Sequence, residues 1–150
     1  MIVYVDGDGC PVISIIKEIC EKRGIEYLVV KDYNHHLKLP DKNCVTVDSQ
    51  RDSADLYIAN RIEDGDFLIT NDMGLASMVL GKDVTVINFD GESINQYNIN
   101  IFLLQRHVSQ RERNNNIYKN KQKKRSRQND ETFEQAFIFK LTGGKYEAGT

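Results

Sequence analysis

The sequence predicts an α/β fold in which a mainly parallel five-stranded sheet is covered by helices on both faces. Three observations carry the prediction. Short β-branched runs recur through the first hundred residues, apolar residues at helical spacing separate them, and glycine or Asp-Gly punctuates their ends. Such alternation calls for parallel strands joined by right-handed crossovers.

The elements follow in order. Ile2–Val5 reads as a buried strand; Pro11 then sits at a plausible first helical position, and Val12, Ile15, Ile16, Ile19 and Cys20 form an apolar stripe that Gly24 ends. Tyr27–Val30 is the second strand and Cys44–Val47 the third, separated by a polar loop with His35, His36 and Pro40. A helix starting near Ser53 shows an Ala54, Ile58, Ile62 face and stops at Gly65. Phe67–Thr70 is a fourth strand, Met73–Leu80 a short helix stopped by Gly81, and Val84–Ile87 a fifth strand ended by Asp90-Gly91. Beyond Gly91, Ile99, Phe102, Leu103 and Val108 suggest a helix that runs into Asn-rich, basic sequence. Asp130 is placed to cap a last helix carrying Phe133, Phe137, Ile138 and Leu141. Residues 1–105 therefore read as the α/β domain, and 106–150 as a basic segment and helix docked on it.

Composition narrows the setting. At 150 residues, one domain is expected, burying roughly 68–70% of its unfolded surface without a covalent staple. Cys10, Cys20 and Cys44 are odd in number and lack CxxC spacing, which argues against disulfides and structural zinc and favours a reducing compartment. The start lacks a basic, apolar leader, and no stretch reaches transmembrane length, so a cytoplasmic location without a membrane partner is expected. The net charge of −2 hides an asymmetry: Arg106 to Arg127 holds nine Lys/Arg against Glu112, a charge of +8 that leaves −10 on the remainder. A positive segment on an acidic protein points to a polyanion, with Arg106, Lys121, Lys123, Lys124, Arg125 and Arg127 as the phosphate-contacting candidates. A solvated linker is the competing interpretation.

In open parallel sheets, ligands bind outside the carboxyl ends of the strands. Asp6 and Asp8 follow the first strand, Asp48 and Asp52 the third, and Asp72 the fourth, while Asp55 opens the next helix. Crowded carboxylates repel unless protons or a cation neutralise them, and hard oxygen donors select Mg or Mn, which assist phosphodiester displacement. Helix capping is the competing role for Asp52 and Asp72. Gly7-x-Gly9 does not suit a dinucleotide, because Val12 replaces the third glycine and two carboxylates would face the pyrophosphate. Asp6-x-Asp8 also resembles the start of haloacid-dehalogenase phosphatases, although Cys10 departs from their usual Thr or Val.

Three blocks together resemble the YaiI/YqxD family of bacterial proteins. They are Asp6-Gly7-Asp8-Gly9-Cys10-Pro11, Asp52-Ser53-Ala54-Asp55, and Leu68-Ile69-Thr70-Asn71-Asp72 with Gly74-Leu75-Ala76. The tail also fits, with Lys124-Arg125-Ser126-Arg127 followed by Asp130-Glu131 and Phe133-Glu134. The resemblance implies a PIN-like three-layer α/β/α fold and a carboxylate-bound Mg or Mn nuclease centre. Matching positions are Asp6, Asp8, Asp52, Asp55 and Asp72, of which Asp6, Asp8, Asp55 and Asp72 would touch the metal. Gly7 stands where the family often has Ala, a change expected to loosen the turn.

The expected activity is metal-dependent phosphodiester hydrolysis, on RNA ahead of DNA; the alternatives are a non-catalytic nucleic-acid-binding adaptor and the phosphatase. Thr70 or Asn71 is expected to hydrogen-bond a metal ligand. Cys10 reads as a small buried residue rather than a reactive thiol. His35, His36 and His107 are candidates for phosphate contact, and Tyr33, Tyr97 and Tyr118 for stacking.

Overall fold

A computed structural model describes residues 1–32, 38–48, 53–114 and 124–144, with the backbone alone at 106 and 112–114. Six strands form one sheet: β1 (Ile2–Asp6), β2 (Glu26–Lys31), β3 (Cys44–Thr46), β4 (Phe67–Ile69), β5 (Thr85–Ile87) and β6 (Ser93–Ile94). Among the described residues five α-helices accompany them: α1 (Ile13–Arg23), α2 (Ala54–Arg61), α3 (Met73–Val79), α4 (Ile99–Asn114) and α5 (Arg127–Leu141). The spatial order is β3-β2-β1-β4-β5-β6. The first five strands pair in parallel, and β6 runs antiparallel to β5. The chain therefore winds outward from β1 to β3, then returns to lay β4 against the other side of β1. That return makes the β1–β4 boundary the topological switch point, where doubly wound sheets open a ligand crevice.

Alternation along the strands assigns the two faces. Val3, Val5, Val29, Phe67, Ile69 and Ile87 pack with Ile16, Ile19 and Cys20 of α1 and Phe133 and Phe137 of α5. Tyr4, Val30, Leu68 and Val86 point the other way, onto Ile58 of α2, Leu75, Ala76 and Val79 of α3, and Ile99 of α4. Helices thus cover both faces, giving three layers. The two α5 phenylalanines are fully buried, one helical turn apart. Their rings lie 5.7 Å apart, and Phe137 lies 6.4 Å from Phe67. Burying each side chain stabilises the docked helix by roughly 1.5–3 kcal/mol. Close approach adds a steric condition: Gly91 has φ +84°, and a Cβ there would stand 2.8 Å from Ala136 Cβ.

Several expectations shift. A sixth strand, only two residues long, joins the predicted five. The N-cap of α5 is Ser126, in a reciprocal capping box with Asn129, whereas Asp130 lies in the first turn and pairs with Arg125. Helix α2 ends at Arg61, before Gly65. Gly7 does not loosen its turn: its N–H donates to Val30 O at 2.7 Å, and a Cβ would meet Val29 Cγ1 at 2.6 Å. A side chain there would require the Val29 side chain to shift.

Candidate functional site

The C-terminal edge of the sheet collects acidic side chains because strand after strand ends there in aspartate. Asp6 is the last residue of β1, in parallel register beside Val30 of β2. Its carboxylate reaches across the switch point to the turn after β4, where the fully buried Thr70 donates its hydroxyl to Asp6 Oδ2 at 2.9 Å. The same Thr70 oxygen accepts the Asp72 N–H at 2.9 Å. One hydroxyl thus fixes a β1 carboxylate and the turn carrying Asp72. Asn71 secures that turn from the far side, its Oδ1 accepting the Phe89 N–H at 2.8 Å.

The remaining acids join through backbone donors. Asp8 Oδ2 accepts the Asp32 N–H at 2.9 Å, and Asp32 Oδ1 in turn accepts the Ala54 N–H, at the start of α2, at 3.0 Å. Asp55, in the first turn of α2, accepts from Ser53 Oγ and from the Leu56 N–H. Asp72 caps α3, accepting from the N–H groups of Gly74 and Leu75. The capping role that competes with a functional one is therefore real for Asp72. Asp32 escaped the sequence reading although its signal was legible: it follows the Tyr27–Val30 run as Asp6 follows the first strand. Lys31, beside it, is buried at the same edge.

Electrostatics shows which of these groups feel one another. Burial pushes Asp6 up to about 6; the Thr70 hydrogen bond opposes the rise, and the charges of Asp72, Asp8 and Asp32 add to it. Asp32 is also raised, first by burial, with the Ala54 N–H opposing and Asp8 and Asp55 adding. Asp6, Asp8, Asp32, Asp55 and Asp72 are therefore neighbours along one edge. Among the described residues, no group of three or more His, Cys, Asp and Glu is gathered closely enough to hold a metal ion. Asp52 lies outside the described residues.

The basic candidates divide. Arg125 is occupied inside the protein. Its guanidinium donates to Asp130 at 2.6 Å and to Phe89 O at 2.7 Å, and pairs with Asp90 at 3.5 Å. It ties the start of α5 to the turn after β5, whose Phe89 N–H is held by Asn71, so its first role is structural. Lys124 is exposed, and the Arg127 side chain is 94% exposed. Lys121 and Lys123 lie outside the described residues, and the Arg106 side chain is likewise not described. Burial pushes the Cys10 thiol up to about 12; a Val12 backbone hydrogen bond opposes this, Asp6 adds to it, and Arg125 opposes it. Cys10 is thus no activated nucleophile. Tyr97 is 85% exposed and His107 is exposed; Tyr33, His35, His36 and Tyr118 lie outside the described residues.

Fold and site together define a doubly wound α/β protein with carboxylates flanking its switch point. The chain belongs to the uncharacterised bacterial YaiI/YqxD family, whose model matches residues 4–142. It is similar to the UPF0178 protein of Ruminiclostridium cellulolyticum, 38% identical over 92% of this chain and 90% of the relative. It is also similar to that of Clostridium kluyveri, 34% identical over 99% of this chain and 98% of the relative. No solved structure matches it. Among the described residues, no helix is long and apolar enough to cross a membrane.

Proposed function

We propose that this edge is a divalent-cation-dependent phosphodiesterase centre, and that the protein is a PIN-like nuclease, with RNA the substrate to test before DNA. One observation carries the reading: Asp6 meets the Thr70–Asp72 turn across the switch point, raised to about 6 by burial and by the acids around it. Carboxylates that raise one another's proton affinity along one edge would be relieved by a bound cation.

The donor set fits Mg or Mn. Every carboxylate here offers hard oxygen, and magnesium needs only one or two of them because it retains water, so an enclosed cage is not required. Asp6 and Asp72 would hold the cation, with Asp8, Asp32 and Asp55 beside them and Asp52 a further candidate. When bound, the cation would neutralise the carboxylates and stabilise charge on the phosphoryl oxygens. The chain's own residues do the rest. Thr70 orients Asp6 and the Asp72 turn together. Lys124 and Arg127, exposed at the root of the basic segment, would meet phosphates outside the acidic edge.

A second reading is a nucleic-acid-binding adaptor in which the acids are structural. The N–H and hydroxyl groups already donated to Asp8, Asp32, Asp55 and Asp72 favour it. Cleavage of labelled single-stranded oligonucleotides with Mn, with EDTA, and by Asp6→Asn decides between them. Turnover that needs Mn and disappears in the variant, while oligonucleotide binding persists, supports the nuclease. Binding without turnover by the wild type supports the adaptor.

A further inference from the structure

Helix α4 leaves the domain soon after it begins. Ile99 is buried and Phe102 half-buried against the α3 side of the molecule, whereas residues 103–105 and 107–111 are all exposed. On the side of the helix opposite those two residues, Ile101, Leu104 and Val108 are 59%, 62% and 46% exposed. Their spacing of three and four is the seam of a two-helix pair. Helices shorter than about 12–15 residues are marginal in water unless an apolar face is packed, and beyond Phe102 the described side chains of this one are all exposed.

We infer that this stripe is the interface between two copies of the chain, packed antiparallel about a two-fold axis that crosses the first half of α4. A two-fold interface presents the same patch twice, and Tyr97, Ile101, Leu104 and Val108, spaced four, three and four, read the same way after reversal: Ile101 of one copy faces Leu104 of the other, and Tyr97 faces Val108. Area is the first argument. With exposed Tyr97 before the helix, the patch amounts to roughly 500 Å², near the upper end of what monomers leave uncovered. Two copies together would bury about 1,000 Å², the threshold for a specific interface. Charge is the second. Helix α4 itself carries Arg106, Arg111 and Arg113 in its second half against Glu112, a charge of +2, while the remainder of the chain carries −4. Parallel packing would lay the two basic stretches side by side. Antiparallel packing carries each toward the acidic body of the other copy. Asn100, Gln105 and His107 flank the apolar stripe, and Arg111 continues that side of the helix one turn beyond Val108.

Sedimentation-velocity and light-scattering measurements on the full chain test this inference, which does not depend on the nuclease reading. The wild type is expected to be a concentration-dependent dimer. Leu104→Glu and Val108→Glu should each raise the dissociation constant at least about a hundredfold by burying unpaired charge, with unchanged far-UV circular dichroism. Leu104→Met should remain dimeric. Added salt should weaken the dimer, because opposite charges face each other. A wild type that stays monomeric at every concentration overturns the inference, as does a dimer indifferent to both glutamate substitutions. A dimer strengthened by salt overturns the antiparallel arrangement.

Discussion

Replacing Asp6 by Asn should make the metal-free protein more stable at neutral pH. Burial and three neighbouring aspartates lift the Asp6 carboxyl from 3.8 to about 6, a rise of about two units at 1.36 kcal/mol each, so ionising it in the folded state costs up to about 3 kcal/mol. The folded protein holds this proton more tightly than the unfolded chain. The penalty is therefore absent below about pH 4, grows between pH 4 and 6, and is complete above about pH 6. Asparagine cannot ionise, yet its amide oxygen can still accept the Thr70 hydroxyl. The expected gain is about 1–3 kcal/mol at pH 7.5, or roughly 3–10 °C in melting temperature, shrinking to near zero at pH 4. Urea unfolding of both proteins in EDTA at the two pH values measures it. Other carboxylates titrate across the same window in both proteins, so the difference between them isolates Asp6. Less stability in the variant at pH 7.5 would refute the reasoning, because ionised Asp6 would then be stabilising the fold.

Thr70→Val should lower stability by about 1–3 kcal/mol, since the Asp72 N–H is left without its acceptor and Asp6 without its donor; urea unfolding in EDTA checks this. Arg125→Met should loosen α5, visible as faster proteolysis after residue 124 and a drop of about 1–3 kcal/mol, whereas Arg127→Gln, on an exposed side chain, should change stability by less than about 0.5 kcal/mol. Gly91→Ala should cost more than about 1 kcal/mol, because positive φ and the nearness of Ala136 both oppose the added carbon. For nucleic acid, replacing Lys121, Lys123, Lys124 and Arg127 with Gln should flatten the log–log salt dependence of single-strand binding by about 0.7 for each phosphate that is no longer neutralised. Fluorescence anisotropy at several salt concentrations measures it, and equal slopes would return the segment to a solvated linker.

The fold was legible because its signals are repeated. β-Branched runs separated by helical stripes identified the five parallel strands, and Gly24 closes α1 with φ 66°. Strand β6 was missed because Ser93–Ile94 is too short to carry a period. The α5 boundary was misjudged because Asp130, a good capping residue, lies four positions after Ser126, and only the geometry shows which one caps. At the site, the rule that ligands gather beyond carboxyl strand ends picked out Asp6, Asp8, Asp55 and Asp72, together with Asp48 and with Asp52, which lies outside the described residues. Asp32 was missed because it belongs to no obvious motif, although it follows a strand in the same way. The structural use of Arg125 could not be read in sequence, where it is one cation in a run. Its partners Phe89 and Asp90 are 36 and 35 residues away.

Titrating manganese into the protein, followed by electron paramagnetic resonance of the free ion, tests the central claim most directly. At pH 7.5 the wild type is expected to bind Mn, with Asp6→Asn and Asp72→Asn each weakening binding at least about tenfold, a change of roughly 1.4 kcal/mol. Binding by the wild type should also weaken at pH 5, where Asp6 is largely protonated. No wild-type binding, or equal affinity in all three proteins, would contradict a cation site at the β1–β4 switch point.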